Sequence, residues 1–197
     1  MMGFIKAVKF PRKLKVGFSN SPANETHATF RDLGFVANPD KTFDIYAAGG
    51  LGSNPRLGVC VAKGIDPTKT LYHIKAMVNT FTTYGNYENR GRSRTRYLLD
   101  TLGEDGFIKA YQEKLEEALA TEQLDIEVKV PVVAKTGSGS VSQDKRIIPQ
   151  KQEGLYAVYY QPVGGEFTPA KAKELYELIQ DMEEVEIRIT ADEGLYV

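Results

Sequence analysis

The 197-residue sequence has one cysteine, two histidines and no tryptophan. Because Cys60 stands alone, the chain can form no internal disulfide and no metal or iron–sulfur site from its own cysteines. His27 and His73 are isolated in the sequence, so a histidine-rich metal site is not expected, and no metal ligand is predicted. We interpret both histidines as surface or packing residues, and Cys60, which lies between two valines, as a buried and unreactive thiol.

The sequence also lacks an excess of charge of one sign and any long apolar run. Its 25 basic and 26 acidic side chains give a formal net charge of −1, which does not favour general binding to nucleic acid or to a membrane. Any anion site must therefore come from local clustering. No stretch approaches the roughly 18 apolar residues of a membrane span, and the N-terminus lacks a signal-peptide pattern. The chain is predicted to be cytoplasmic.

The first two thirds of the chain predict strands followed by helices. Leu14, Val16 and Phe18 alternate with polar or small residues, so they are predicted to face a core from one strand. Asp66-Pro67 is typical of a helix start. The predicted elements, in order, are a strand at 13–18, strands at 34–37 and 43–48 joined by a turn at 38–41, and helices at 66–85, at 90–102 and from about 104 onward. This order indicates an α+β module.

The last third of the chain predicts a separate, smaller unit. Residues 135–146 are rich in small polar residues and typical of a linker or mobile loop. A strand at 155–161, a helix opened by Thr168-Pro169 and a strand at 185–189 then form a β-α-β unit of the ferredoxin-like kind. The predicted domains are a first module at 10–134, a linker at 135–146 and an incomplete ferredoxin-like half-domain at 147–197.

Lys13 and Lys15 are the first candidate site residues. Residues two apart on a strand point to the same face, so the two ammonium groups would lie side by side, opposite the core. Such a pair can bind an oxyanion and donate protons to it during reduction. The alternative interpretation is an ordinary solvated strand face, on which exposed lysines are common.

The segment 90–96 carries four arginines, at positions 90, 92, 94 and 96. If it is helical, Arg90 aligns with Arg94, and Arg92 aligns with Arg96 on another side. One such pair could hold carboxylates through two parallel hydrogen bonds. A track for nucleic-acid phosphates and a solvated basic helix start are the alternatives.

The loop Gly49-Gly50-Leu51-Gly52 follows a predicted strand. Its glycines allow close approach of a flat ligand or of another backbone segment, and a simple turn is the alternative. It is not a dinucleotide-binding fingerprint, because Pro55 occupies the third glycine position and no helix opens there.

The order of these motifs resembles the sirohaem- and iron–sulfur-dependent nitrite/sulfite reductase family. The resemblance runs from about Phe10 to Phe107. It rests on four motifs in sequence: Pro11–Lys15, Asp32–Ala37, Gly49–Gly52, and Gly85-Asn86 followed by 90–97. The stretches 149–155 and 186–190 are similar to the ferredoxin-like half-domain of the same family. The implied fold is therefore a sirohaem-domain-like module followed by that half-domain.

The resemblance implies multi-electron reduction of nitrite or sulfite at sirohaem. It implies that Lys13 and Lys15 face the substrate anion and supply protons. It also implies a set of residues that contact the sirohaem carboxylates or macrocycle, namely Arg12, Gly49, Gly50, Leu51, Arg90, Arg94 and Arg96. Arg188 matches a family arginine at a strand end. The implied partners are an electron donor, such as ferredoxin or a flavoprotein, and the remaining part of the reductase.

The sequence also departs from the family pattern. The family has a complete half-domain before the Pro-Arg-Lys run, and its cysteines for the 4Fe–4S cluster would lie beyond Val197. Cys60 does not match them. The chain is therefore interpreted as an internal segment of a longer or split enzyme. A truncated, non-catalytic module that binds a ligand or partner is the alternative, and an RNA-binding module is the least favoured because the net charge is close to zero.

Overall fold

The computed structural model contains two units, Met1–Lys129 and Val130–Val197. The residues it describes are 8–129, 135–137, 139, 143–182, 184–190 and 192–197. Part of the predicted linker at 135–146 lies outside these residues, and the predicted domain boundaries stay a prediction. Among the described residues, no helix combines the length and the apolar character needed to cross a membrane.

The first unit contains a four-stranded sheet in which the strands follow chain order. Its strands are β1 (Val16–Ser19), β2 (Leu33–Ala37), β3 (Phe43–Ala47) and β4 (Val59–Ile65). β1 is parallel to β2, and the other neighbours are antiparallel. The predicted hairpin of β2 and β3 is confirmed. Its turn is held by Asn38, whose side-chain amide donates to Asp44 at 2.9 Å.

Two helices, α1 (Thr70–Tyr84) and α2 (Leu98–Thr121), pack against each other and contribute side chains to the same core as the sheet. The predicted start of the first helix is confirmed: Asp66 accepts from the Thr68 backbone amide at 2.8 Å and caps a short 3₁₀ turn before α1. The fully buried large side chains include Phe35, Ile45, Ile74, Met77, Phe81, Phe107 and Tyr111. This core fixes the positions of the loops around the sheet.

The predicted helix at 90–102 is wrong in its first half. Residues Arg90–Arg92 and Thr95–Tyr97 form 3₁₀ turns, α2 begins only at Leu98, and Gly103 interrupts it with a φ of 71°. Positive side chains oppose the dipole of a helix N-terminus. The side chain of Asn89 caps the first turn by accepting from the Gly91 amide at 3.0 Å. The arginine segment is therefore a pair of tight turns.

The predicted strand at 13–18 is also shorter in the structure, and only its last part forms. The amide of Lys15 donates to the side chain of Asp32 at 2.8 Å, and strand pairing begins at Val16. Phe18 was predicted to face the core, but its side chain is 44% exposed. Phe18 is exposed because β1 lies at the edge of the sheet. One face of its ring still stacks on Phe35, with ring centroids 4.6 Å apart.

The second unit is a small antiparallel sheet with one helix. Its elements are β5 (Ile147–Pro149), β6 (Tyr156–Tyr160), α3 (Pro169–Ile179), β7 (Arg188–Ile189) and β8 (Leu195–Tyr196). The strand order is β5-β6-β8-β7, so β8 separates β6 from β7 and both pair with it antiparallel. That is a split β-α-β arrangement. The predicted cap is confirmed by Thr168, which accepts from the Lys171 amide.

The predicted strand at 185–189 is longer than the observed one. Only Arg188 and Ile189 pair, because β8 offers just two residues opposite them. Leu178 near the end of α3 and Met182 just after it are 69% and 50% exposed, so the apolar side chains of this region are only partly covered. The predicted α+β class is confirmed for both units.

Candidate functional site

A concave surface of about 410 Å³ lies in the first unit, where four loop segments meet near the ends of β1 and β3. Its volume falls in the range of small-molecule sites. The lining residues are Arg12, Lys15, His27, Phe30, Arg31, Asp32, Gly50, Leu51, Arg90, Gly91, Arg94 and Arg96. We call this set the basic concavity.

The basic concavity concentrates positive charge in a chain that is nearly neutral. Six of its lining residues are lysine or arginine, and Asp32 is the carboxylate among them. Cations gathered around a concave surface focus the potential and raise the local concentration of anions. The local clustering that an anion site requires is therefore present, and it suits a ligand with several negative charges.

Asp32 ties three segments of the site together. Its side chain is fully buried and accepts from Arg94 Nη2 at 2.7 Å and from the backbone amide of Lys15 at 2.8 Å. The hydroxyl of Thr95 donates to the other carboxylate oxygen. Buried carboxylates are tolerated when they are paired and hydrogen-bonded in this way. One carboxylate thus links the segment before β1 to the arginine turns.

Arg96 forms the floor of the site. Its side chain is only 8% exposed, and its Nη1 donates to the carbonyl of Leu51 at 2.9 Å. The carbonyl of Arg96 in turn accepts from Arg56, whose guanidinium pairs with Asp100 at 2.9 Å. The glycine-rich loop and the start of α2 are therefore joined through two arginines.

Two guanidinium donors in the site are buried without a partner. Within the described residues, the Nε atoms of Arg94 and Arg96 have no hydrogen-bond acceptor. An unsatisfied buried donor on a charged group costs about 1–3 kcal/mol or more, so such atoms call for an explanation. Both atoms belong to arginines that line the basic concavity, and both are closed to solvent in this structure.

The glycine-rich loop contributes its backbone to one wall. Gly50 exchanges two backbone hydrogen bonds with Arg56, at 2.9 and 2.8 Å, which closes the loop. A Cβ at Gly50 would lie 2.8 Å from Nη1 of Arg96. Gly49 is different, because a Cβ there would meet backbone atoms of Thr29, Arg31 and Gly58 within 3 Å. Gly49 therefore serves backbone packing behind the site, whereas Gly50 leaves room for Arg96.

We expect Gly50→Ala to weaken anion binding about tenfold. The new methyl group must displace the Arg96 guanidinium, and losing the one charge-assisted hydrogen bond of about 1.5 kcal/mol that this arginine would give the anion corresponds to that factor. Isothermal titration with pyrophosphate measures the effect. Gly64→Ala is the control for backbone strain, since Gly64 has a positive φ and open space around it. Equal affinities for Gly50→Ala and the unaltered chain would refute the role given to Gly50.

The structure brings together most of the predicted site residues. Those that line the basic concavity are Arg12, Lys15, Gly50, Leu51, Arg90, Arg94 and Arg96. Lys13 is exposed and lies outside the lining, and Gly49 packs behind it. Arg188 belongs to the second unit, where it pairs with Glu186. The predicted alignment of Arg90 with Arg94 and of Arg92 with Arg96 does not occur, because the segment is not an α-helix.

Sequence reasoning missed His27, Arg31 and the role of Asp32. His27 immediately precedes a 3₁₀ turn, with a left-handed φ of 52°, and it lines the concavity. Arg31 reaches the site because Gly17 has no side chain: a Cβ there would lie 2.8 Å from Arg31 Cγ. The contact between Gly17 on β1 and Arg31, which lies just before β2, could not be read from spacing alone.

The remaining reactive groups lie away from the basic concavity. His73 is buried beside Tyr111, as predicted for a packing residue. Burial raises the pKa of the Cys60 thiol, which keeps it protonated at neutral pH. Within the part of the chain that the structure describes, no group of three or more His, Cys, Asp or Glu residues is placed to hold a metal ion.

Two family models match the chain. The nitrite and sulphite reductase 4Fe-4S domain matches residues 1–119. The nitrite/sulfite reductase ferredoxin-like half domain matches residues 148–197. Together the matches cover the strand-and-helix module with the basic concavity and the split β-α-β unit. They agree with the family resemblance carried by the sequence motifs.

Relatives and a solved structure point the same way. The sulfite reductase (NADPH) hemoprotein beta-component of Nitrobacter hamburgensis is 34% identical over 115 residues, which cover 53% of this chain and 20% of that protein. The sulfite reductase (NADPH) subunit beta of Schizosaccharomyces pombe is 32% identical over 120 residues, or 55% of this chain and 8% of that protein. The chain thus spans about a fifth of its bacterial relative, or less of the yeast one.

The structure of the Mycobacterium tuberculosis NirA protein superposes with a TM-score of 0.69 and 24% identity. The alignment covers 95% of this chain and 33% of NirA. At that identity the likeness supports the fold. With the family models matching both units, the chain belongs to the nitrite and sulfite reductase family.

Proposed function

We propose that this chain supplies the basic sirohaem- and anion-binding wall of a nitrite or sulfite reductase. The observation that carries the proposal is the convergence of six basic side chains around a concavity in which two buried guanidinium Nε atoms lack acceptors. Sirohaem is a flat macrocycle with many carboxylates. When bound, it would pass electrons from an external donor to the oxyanion.

The donor set of the concavity fits sirohaem. Arg90, Arg94 and Arg96 can hold its carboxylates, and the exposed side chain of Leu51 offers an apolar surface for the macrocycle. These arginines line a concave surface, which favours compact carboxylates over the extended phosphate track of a nucleic acid. Arg12 and Arg31 extend the same positive wall.

A 4Fe–4S cluster does not fit the residues of this chain. Such clusters are held by four thiolates, and Cys60 is the single cysteine of the sequence. It also lies on β4, outside the basic concavity. We therefore assign no cluster ligand here. Cluster ligands, and the site that accepts electrons from ferredoxin or a flavoprotein, belong to other parts of a complete reductase.

The two lysines of the Pro-Arg-Lys run take unequal roles. Lys15 lines the basic concavity, where its ammonium group can bind nitrite or sulfite and donate a proton as oxygen leaves. Lys13 is exposed and does not line the concavity. Both anions are small and oxygen-rich, so the same lysine serves either one.

Turnover should depend more on Lys15 than on Lys13. In a reductase that contains this chain joined to the cluster-bearing part, Lys15→Ala should lower kcat/KM by about 100-fold, the usual loss when a general acid is removed. Lys13→Ala should cost about tenfold or less. Lys63→Ala, an exposed lysine on β4, is the control. Oxidation of a reduced donor dependent on nitrite or sulfite measures the rates, and normal turnover after replacing both lysines would contradict the assignment.

A non-catalytic role is the second candidate function, favoured by the single cysteine. A module of this kind would bind its ligand or partner without reducing it. Titration with sirohaem separates the two proposals. A sirohaem-binding wall should give a saturable change in the visible spectrum, whereas an unrelated ligand-binding module should stay colourless after excess cofactor is removed.

A further inference from the structure

We infer that Asp32 is a positioning residue that holds Lys15 and Arg94 together on the anion-binding wall. This inference rests on the proposed function, since it concerns the same site. Asp32 is the acidic residue among those that line the basic concavity, and its side chain is fully buried. A carboxylate lowers the positive charge of an anion site and repels the anion. Asp32 must therefore serve a purpose other than attracting the ligand.

The hydrogen bonds of Asp32 supply that reason. One carboxylate oxygen accepts from the Lys15 backbone amide and from Arg94 Nη2, and the other accepts from the Thr95 hydroxyl. Lys15 and Arg94 are 79 positions apart in the sequence, and this side chain bonds to both. Asp32 therefore joins the backbone that carries Lys15 to the guanidinium of Arg94 on one wall of the concavity.

The geometry of these bonds requires an oxygen that accepts twice. An Asn at this position can still place its carbonyl oxygen between Lys15 and Arg94. Its amide can donate to Thr95, because a hydroxyl can also accept. An Ala cannot replace any of the three bonds. Comparing Asp32→Asn with Asp32→Ala therefore separates two effects: the placement of Lys15 and Arg94, which Asn keeps, and the negative charge of the carboxylate, which both variants remove.

The experiment is a double-mutant cycle on the folded chain, with pyrophosphate as the probe and calorimetric titration as the readout. Asp32→Ala should weaken binding about tenfold, and Asp32→Asn should stay within about threefold of the unaltered chain. In an Arg94→Ala background, Asp32→Ala should cause a smaller further loss, since only the bond to the Lys15 amide remains to be lost on this wall. Asp44→Ala is the matched control, since Asp44 also accepts from a side chain and a backbone amide but lies on β3 away from the site.

A second variant tests the inference without changing Asp32. Thr95 is fully buried and lies outside the lining, so Thr95→Val should weaken pyrophosphate binding about threefold by loosening Asp32. Thr80→Val, at another fully buried threonine, should leave affinity unchanged. Losses from Asp32→Ala and Arg94→Ala that simply add would overturn the inference, as would Thr95→Val and Asp32→Ala variants that bind normally.

The outcome for Asp32 can be told apart from the outcome for sirohaem. If the chain binds pyrophosphate with the expected dependence on Asp32 and yet fails to bind sirohaem, the proposed cofactor is wrong and the positioning role stands. If sirohaem binds and the Asp32 variants match the unaltered chain, only the positioning role is wrong.

Discussion

Replacing Arg90 and Arg96 together by Gln is expected to weaken sirohaem binding by about 100-fold or more. Each arginine lines the basic concavity, and each can give a carboxylate a charge-assisted hydrogen bond of about 1.5–3 kcal/mol. Two such losses amount to at least about 3 kcal/mol, and every 1.4 kcal/mol is a factor of ten in affinity. Titration of the chain with sirohaem, followed by visible absorption, measures the change.

Arg92→Gln is the matched control for this experiment. Arg92 lies in the same 3₁₀ turn as Arg90 and is similarly exposed, but it does not line the concavity. Added salt should weaken binding to the unaltered chain more than binding to the double variant, because the variant has fewer cations to screen. A double variant with the affinity of the Arg92→Gln chain would remove the basis for the proposed cofactor site.

The first unit is expected to lose stability as the pH falls from about 6.5 to 4, because of His73. Its ring is 3% exposed in the core between α1 and α2, with Nδ1 2.9 Å from the hydroxyl oxygen of Tyr111. Burial lowers the pKa of His73 from 6.5 to about 4. The folded state therefore favours the neutral ring, and the unfolded chain takes up the proton first.

The sign and size of this effect follow from the two pKa values. Stability from the neutral ring is fully present above pH 6.5 and is lost as the pH falls to about 4, below which both states are protonated. A difference of about 2.5 units corresponds to about 3 kcal/mol in the free energy of unfolding. Urea unfolding followed by circular dichroism at pH 7 and pH 4.5 gives the loss.

His73→Leu should flatten this part of the pH dependence. The Tyr111 hydroxyl keeps an acceptor in the variant, since the carbonyl oxygen of residue 73 lies 3.3 Å from it. His27→Gln, at the other histidine, which is exposed, is the control variant. Identical pH profiles for the unaltered and His73→Leu chains would mean that the acid loss comes from carboxylates instead.

Local patterns predicted those parts of the fold whose energetics are local. The hairpin of β2 and β3, the Asp66 cap and the Thr168 cap each depend on residues a few positions apart, and all three were predicted correctly. The prediction for the arginine segment was wrong because its conformation depends on a distant contact. Its pattern allowed a helix, but Arg94 forms an ion pair with Asp32, 62 positions away, and the segment folds as tight turns.

The sequence likewise predicted one part of the candidate site and not the other. Sequence motifs in order identified the family and seven of the residues that line the basic concavity. They did not separate Lys15 from Lys13, because strand alternation places both on one face, whereas strand pairing in fact begins only at Val16. They also passed over Arg31, whose access depends on the absence of a side chain at Gly17.

The sequence by itself determined the family, the α+β class, the near-neutral charge and the lack of cluster thiolates, since each depends on composition or on motif order. Only the tertiary structure decided which cations share one surface. That outcome depends on the buried carboxylate of Asp32 and on the loop closed between Gly50 and Arg56. Contacts of this kind join segments tens of residues apart, and no local periodicity encodes them.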